Sequence, residues 1–229
     1  MDSSLTRADI ETRNFITHVY QWMSAGLALT GMIAVYMAAN PGMILALARN
    51  QLLFMGLLGG ELVLVIALAG WVKKMSATTA AGAFLFYAAL NGVTISTIFL
   101  IYTASSIGAT FFVAAGMFGA MSVYGAVTKT DLTSMGNFCF MGLIGIILAG
   151  LVNIFLRSPA VSWATSILGV LIFTGLTAYD TQKLKAMNVL GNEGTDEDKK
   201  EAISGALTLY LDFINLFLSL LRLMGRRRD

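Results

Sequence analysis

Residues 203–224 read ISGALTLYLDFINLFLSLLRLM, an apolar run of membrane-spanning length with polar residues at regular intervals. A helix needs about 20 mainly apolar residues to cross the ~30 Å hydrocarbon core of a bilayer. The polar and small residues are three or four apart and therefore share one helix face: Gly205, Thr208, Asp212, Asn215, Ser219 and Arg222. Such a stripe faces other helices or water, not lipid. We predict that this last helix is central in a helical bundle and lines a path through it; interhelical hydrogen bonding is the alternative interpretation.

Six further apolar runs precede this one, so the sequence predicts an all-α membrane protein with seven transmembrane helices. Of the 229 residues, 57% are hydrophobic and only 12% are charged, whereas soluble domains carry about 25% charged residues. A soluble fold of this length has too small a core to bury so much apolar surface. The six runs lie at 18–39, 51–72, 79–102, 107–127, 135–156 and 161–181. The predicted layout is a cytoplasmic tail (1–17), a transmembrane domain (18–224) and a basic C-terminal tail (225–229).

The distribution of Lys and Arg between the loops predicts a cytoplasmic N-terminus, because positively charged loops tend to remain in the cytoplasm. In that orientation the cytoplasmic side carries nine such residues: Arg7, Arg13, Lys73, Lys74, Lys129, Lys183, Lys185, Lys199 and Lys200. The opposite side carries Arg49 and Arg157, and also Arg222, Arg226, Arg227 and Arg228 if the last run crosses completely. The region 182–202 is then a cytoplasmic loop. We interpret its acidic part, 193–201, as solvated; concentration of cations at the cytoplasmic mouth is the alternative. The net charge of +2 gives no indication of a nucleic-acid partner, and we expect none.

Three carboxylates lie inside apolar runs: Glu61, Asp180 and Asp212. Charged groups near the bilayer centre are costly, so they usually face the protein interior and serve a function. In the predicted topology Asp212 lies roughly 13 Å along the last helix, and Asp180 reaches a similar depth if the sixth helix continues to Lys185. Two carboxyls in one dry site cannot both ionise cheaply. We therefore expect this pair to share a proton and act as a pH-operated latch; an interfacial Asp180 or a structural carboxyl is the alternative.

Several motifs in the sequence resemble the Bax inhibitor-1 family, whose members are also called transmembrane BAX-inhibitor-motif proteins. The segment YLDFINLF at 210–217, followed by LLR at 220–222, is similar to the family's terminal motif. The segment AYDTQK at 178–183 is similar to its sixth-helix motif, and TKTDL at 128–132 and NIF at 153–155 match bacterial members. The resemblance covers essentially the whole chain.

The resemblance implies a seven-helix bundle around the last helix and a pH-sensitive calcium leak. It implies that Asp180 and Asp212 are the pH sensor and the residues that contact calcium. Glu61 matches a glutamate of the family's second helix. Lys73 stands where family members carry an arginine that contacts the aspartates, and a lysine is a point donor and not a bidentate fork. With Asn215 from the polar stripe, these residues form the predicted ion path.

The sequence therefore favours a calcium or other cation leak channel or transporter of a bacterial inner membrane, because calcium prefers oxygen ligands. Its expected partners are the lipid bilayer and calcium ions, and other membrane proteins are left open as partners. Some relatives are described as modulators of membrane proteolysis or cell-death pathways, which leaves open an interaction protein acting in proteolysis or stress survival. The chain lacks the G-x-G-D and P-A-L motifs of presenilin-like proteases, and no metal-ligand cluster, P-loop or nucleophile triad is visible. We expect no enzymatic activity and no cofactor.

Overall fold

The computed structural model describes residues 7–187 and 191–228. Within these residues the helices are α1 (Arg7–Ala39), α2 (Pro41–Arg49), α3 (Gln51–Trp71), α4 (Ala77–Ile95), α5 (Ile98–Ile101), α6 (Ala104–Val127), α7 (Thr133–Leu156), α8 (Pro159–Met187) and α9 (Asp196–Met224). A 3-10 turn, Val72–Lys74, extends α3. Seven segments of this described part are long and apolar enough to cross a membrane: α1, α3 with its turn, α4 with α5, α6, α7, α8 and α9. The predicted fold class is confirmed.

Two helix boundaries near the N-terminal half differ from the sequence prediction. Helix α1 begins at Arg7, inside the predicted tail, because Glu11, Phe15 and Val19 continue its buried face at intervals of four residues. The short helix α2 occupies what the sequence suggests is a loop, and it begins with Pro41. Proline suits that position, because a backbone N–H in the first turn has no acceptor within the helix and its absence therefore costs nothing.

The helical run predicted over 79–102 is interrupted after Ile95. The hydroxyl groups of Ser96 and Thr97 donate to the backbone carbonyls of Val93 and Thr94, at 2.6 and 2.8 Å. Hydroxyls that bond to the preceding turn compete with the helical hydrogen bonds and often bend the helix. The span therefore continues as the separate short helix α5.

The predicted loop at 182–202 is too long, because both of its ends are helical. Helix α8 continues to Met187 and α9 begins at Asp196. Asp196, Glu197 and Asp198 lie in the first turn of α9. Negative side chains are favourable there because they oppose the positive end of the helix dipole and accept bonds from unpaired backbone N–H groups.

The chain divides into two compact units. Unit 1 comprises Met1–Ile101 and Met187–Tyr210, and in it α4 packs against both α1 and α3. Unit 2 comprises Tyr102–Ala186 and Leu211–Asp229, that is, α6, α7, α8 and the second half of α9.

Helix α9 is the least exposed of the seven spans. In an apolar stretch of 18 residues taken from each span, 72% of the residues are buried in α9. The corresponding share is 39% or less in each of the other six spans and only 6% in α7. This agrees with the prediction from its polar stripe, because a helix that carries such a stripe is shielded from lipid. A central position for α9 stays a prediction.

Unit 2 is an antiparallel arrangement of four helical segments. Gly136 and Gly142 of α7 lie opposite Tyr179 and Ile172 of α8, so these helices run in opposite directions. Ser219 of α9 lies opposite the earlier part of α8, at Gly169. One end of the unit, here called the lysine end, therefore holds 127–133 and 183–186. The other, the arginine end, holds 102–106, 156–159 and 222–228.

Candidate functional site

The side chains of Asp180 and Asp212 meet between α8 and α9 in unit 2. Their carboxyl groups lie within hydrogen-bonding reach of each other. Asp212 is 5% exposed, and Asp180 is half-buried. Because an ionised carboxylate is only an acceptor, a hydrogen bond between two carboxyls requires a proton on one of them. The structure brings the two predicted residues together, whereas proton sharing between them and a role as a pH sensor stay predictions.

Glycines on α6 and α7 allow these helices to approach α8 next to the aspartate pair. A Cβ atom on Gly125 of α6 would overlap the backbone carbonyl of Ala178. A Cβ atom on Gly136 of α7 would overlap the ring of Tyr179. Since a helical membrane protein gains its cohesion from close backbone packing, these contacts hold the turn that carries Asp180 in a fixed position.

The cation beside the pair is Lys183, and the sequence analysis missed it. Lys183 lies one helical turn after Asp180 and interacts electrostatically with that carboxyl. Its Nζ atom is 5.7 Å from the ring centroid of Tyr179. The i, i+3 spacing of Asp180 and Lys183 was the available signal. Lys73 belongs to unit 1, where it is exposed and forms no ion pair with a described residue.

Four side-chain oxygens of unit 2 are buried without a hydrogen-bond partner among the described residues. They belong to Thr110 and Ser122 of α6, Thr174 of α8, and Asp212, whose Oδ2 atom is the one concerned. Leaving such a group unpaired costs about 1–3 kcal/mol, so each is expected to meet water or an ion. The interior of unit 2 is therefore polar on three of its helices.

Other members of the polar stripe are satisfied within α9 itself. The amide nitrogen of Asn215 donates to the carbonyl of Leu211 at 2.8 Å, and the hydroxyl of Thr208 donates to Ser204 at 3.2 Å. Asn215 is half-buried. Its amide nitrogen is thus bound to its own helix, which leaves its carbonyl oxygen as the group that can face a path.

Glu61 lies in a separate polar network within unit 1. It is 8% exposed and accepts hydrogen bonds from the hydroxyl of Thr94 and, at 3.4 Å, from the amide of Asn91. In the same unit the hydroxyl groups of Thr30 and Tyr210 are 2.7 Å apart. The structure therefore assigns Glu61 to a contact of α3 with α4. The sequence analysis missed its partners, because single hydroxyl and amide groups in apolar runs look like packing residues.

The acidic residues around 193–198 have structural partners, although Glu193, Asp196 and Glu197 remain exposed, as expected for a solvated segment. Asp196 accepts a hydrogen bond from the first backbone N–H of α4, at Ala77, with a distance of 3.0 Å. Glu193 accepts one from Asn14 of α1 at 2.7 Å. Asp198 is buried and accepts one from the backbone N–H of Gly194 at 2.9 Å. This segment thereby ties the start of α9 to α1 and α4 within unit 1.

Comparison with known proteins agrees with the motifs. The family model described as an inhibitor of apoptosis-promoting Bax1 matches residues 12–229. The chain belongs to the Bax inhibitor-1 family. It is 51% identical to the inner membrane protein YbhL of Escherichia coli K12, over 97% of this chain and 94% of that protein. It is 45% identical to a protein of Borreliella burgdorferi, over 100% and 99% of the two chains. It is 36% identical to a membrane protein of Streptococcus pyogenes, over 96% of each.

The Bax inhibitor-1 motifs form hydrogen bonds at both ends of unit 2. At the lysine end, Gln182 accepts a hydrogen bond from the backbone N–H of Leu132 at 2.9 Å and donates to the carbonyl of Thr130 at 2.8 Å. This joins the segment AYDTQK on α8 to the segment TKTDL before α7. At the arginine end, Asn153 of NIF accepts from the N–H of Ser158 and donates to Ser162. The motifs that resemble the family thus fix the turns on either side of α7.

The described residues contain no group of three or more His, Cys, Asp or Glu side chains placed to hold a metal ion. The aspartate pair supplies two carboxyl groups, whereas calcium takes six to eight oxygen ligands. Any calcium contact at the pair would draw its remaining ligands from hydroxyls, carbonyls or water.

Proposed function

We propose that the protein is a pH-sensitive leak channel or transporter for calcium or another cation, gated by the Asp180–Asp212 pair. The observation that carries the proposal is the buried contact between these two carboxyls in a multi-pass membrane protein of the Bax inhibitor-1 family. Ionisable groups inside membrane proteins are rare because they are costly, and they usually mark ion or proton pathways. The similarity to YbhL supports a bacterial inner membrane as the location, and the loop charges support a cytoplasmic N-terminus.

The proton shared by the pair acts as the latch between α8 and α9. With one proton present, the carboxyls are joined by a hydrogen bond. When the proton leaves, two negative charges face each other across the same contact. Two unit charges about 4 Å apart repel by about 4 kcal/mol at an effective dielectric constant of 20. Since 1.4 kcal/mol corresponds to a factor of ten, that repulsion shifts an equilibrium between closed and open forms by nearly a thousandfold.

The unpaired oxygens of unit 2 support a path for a cation. Thr110, Ser122 and Thr174 offer hydroxyl oxygens on helices α6 and α8 of the same unit as the pair. Oxygen ligands of this kind replace part of the hydration shell of calcium. A site with only two carboxylates binds the ion incompletely, which suits a permeant ion that must leave again. Calcium is thus the cargo of the proposed leak and not a resident cofactor.

Calcium flux into liposomes that contain only this protein tests the proposal. Flux is measured from about pH 5 to pH 8 for the wild type, Asp180→Asn, Asp212→Asn and the double variant. Asparagine still forms hydrogen bonds but cannot ionise, so each single variant is expected to flatten the pH dependence. The double variant is expected to add little, because the two residues titrate as one unit.

The matched control is Asp131→Asn, which removes an exposed carboxylate of unit 2 outside the pair. It is expected to keep the pH profile of the wild type. A wild-type profile in Asp212→Asn would place the sensor elsewhere, with Glu61 as the next candidate. If the purified protein supports no calcium flux at any pH, the leak channel is rejected in favour of the interaction protein.

A further inference from the structure

We propose that the arginine end of unit 2 is a binding surface for the headgroups of anionic phospholipids. This end carries a set of exposed arginines: Arg157, Arg222, Arg226 and Arg227. The described carboxylates of unit 2 all lie elsewhere: Asp180 and Asp212 form the buried pair, and Asp131 lies at the lysine end. Within the described residues of unit 2, no carboxylate lies at this end to balance the charge of these arginines.

The backbone after α9 is held against the start of α6, so Arg226 and Arg227 are presented in a fixed place. The backbone N–H of Thr103 donates to the carbonyl of Arg226 at 3.1 Å, and the N–H of Arg226 donates to the hydroxyl of Ser106 at 2.8 Å. Arg227 forms a β-bridge with Tyr102. Gly225 fits against the ring of Tyr102, where a Cβ atom would overlap it. A surface ordered before binding loses less entropy when a ligand arrives.

Exposed apolar side chains lie close to Arg157 in the sequence, on both sides of the turn between α7 and α8. Phe155 and Leu156, which precede Arg157 on α7, are 88% and 63% exposed. Trp163 in the second turn of α8 is 64% exposed. A band of lipid-facing apolar and aromatic side chains followed at once by arginine is the arrangement found where a helix leaves the bilayer. The arginines thus lie at the depth of the headgroup phosphates.

The chemistry of the two ends of the unit favours the arginine end for this role. A guanidinium group binds a phosphate with two parallel hydrogen bonds, whereas a lysine ammonium is a point charge. At the lysine end, Lys185 donates to the carbonyl of Ala126 at 3.1 Å and Lys183 stands beside Asp180. Hydrogen bonds from the hydroxyl and backbone N–H of Thr133 lower the pKa of Asp131, which keeps a negative charge at that end. The positive charge at the lysine end is therefore better balanced than the positive charge at the arginine end.

The test measures binding of pyrene-labelled phosphatidylglycerol to the full chain in detergent. Binding is followed by the quenching of the protein's tryptophan fluorescence by the pyrene group. One basic residue near an anionic lipid surface contributes about 1 kcal/mol, or roughly fivefold in affinity. The triple variant Arg222→Gln, Arg226→Gln, Arg227→Gln is therefore expected to weaken binding on the order of a hundredfold. The backbone contacts of Arg226 and Arg227 do not need their side chains, so the variant is expected to keep the wild-type unfolding temperature.

Two controls distinguish a lipid-headgroup surface from attraction by net charge and from a site for free anions. The matched variant Lys74→Gln, Lys129→Gln, Lys199→Gln removes three exposed charges elsewhere and is expected to bind like the wild type. An equal loss in both triple variants would mean that net charge alone attracts the lipid, against the proposal. Unlabelled phosphatidylglycerol is expected to compete, while phosphatidylcholine and soluble glycerol phosphate are not. Efficient competition by glycerol phosphate would identify a site for free anions, and unchanged binding by the arginine variant would overturn the proposal outright.

Discussion

Replacing Gly125 by alanine is expected to push α6 away from α8 beside the aspartate pair. The new Cβ atom would overlap the backbone carbonyl of Ala178, which cannot rotate aside as a side chain would. Overpacking of this kind costs about 1–3 kcal/mol. Gly119 of the same helix has nothing within 4 Å of the corresponding position, so Gly119→Ala is the matched control. Both variants gain the same helix propensity, about 0.5–1 kcal/mol, and it cancels in the comparison.

Thermal unfolding in detergent measures the difference between these two variants. For a chain of this size, 1 kcal/mol corresponds to a change of about 2–4 °C in the unfolding temperature. Gly125→Ala is therefore expected to unfold about 2–12 °C below Gly119→Ala. Because Asp180 follows Ala178 by two residues, Gly125→Ala is also expected to change the pH profile of calcium flux. An unfolding temperature equal to or above that of Gly119→Ala would refute the close packing of α6 on α8.

Two further predictions concern unit 1 and the orientation of the chain. Thr30→Val removes the hydroxyl bonded to Tyr210 and is expected to destabilise the protein by about 1 kcal/mol. A double-mutant cycle with Tyr210→Phe should give a coupling energy of about 0.6–1.7 kcal/mol between the two residues. A coupling energy of zero would show that the bond contributes nothing to stability. In a Cys139→Ser background, Asn192→Cys should react with an impermeant thiol reagent only after the cells are opened, whereas Ser105→Cys should react in intact cells; the reverse pattern would overturn the cytoplasmic N-terminus.

The number of membrane spans follows from the sequence because the thickness of the bilayer sets the length of each apolar run. The ends of the helices do not follow from hydropathy. Helix α1 extends back to Arg7 because Glu11 has a partner in the backbone N–H of Gly191, which is distant in sequence. Helix α9 begins at Asp196 because its acidic first turn bonds to α4. Contacts of this kind depend on the tertiary structure, and a hydropathy profile contains no record of them.

The same distinction applies to the candidate site. Asp180 and Asp212 are recognisable in the sequence because a carboxylate in an apolar run is costly wherever it points. The separate hydrogen-bond network of Glu61 is not recognisable in the sequence, because Asn91 and Thr94 become its partners only when α3 packs on α4. The family resemblance predicts Lys73 as the cation that contacts the aspartates. The cation that interacts with Asp180 is instead Lys183, which lies on α8 like Asp180 itself.

The burial of α9 has a consequence for how the protein is made. Helix α9 leaves the ribosome after the other six spans, yet it is the most buried of the seven. While it is still being synthesised, Thr110, Ser122 and Thr174 have already entered the bilayer on α6 and α8, and the partner of Asp180 has not. A chain that stalls before residue 196 therefore leaves polar groups open to lipid in a six-span intermediate. Membrane chaperones and quality-control proteases could use these exposed polar groups to distinguish the intermediate from the finished protein.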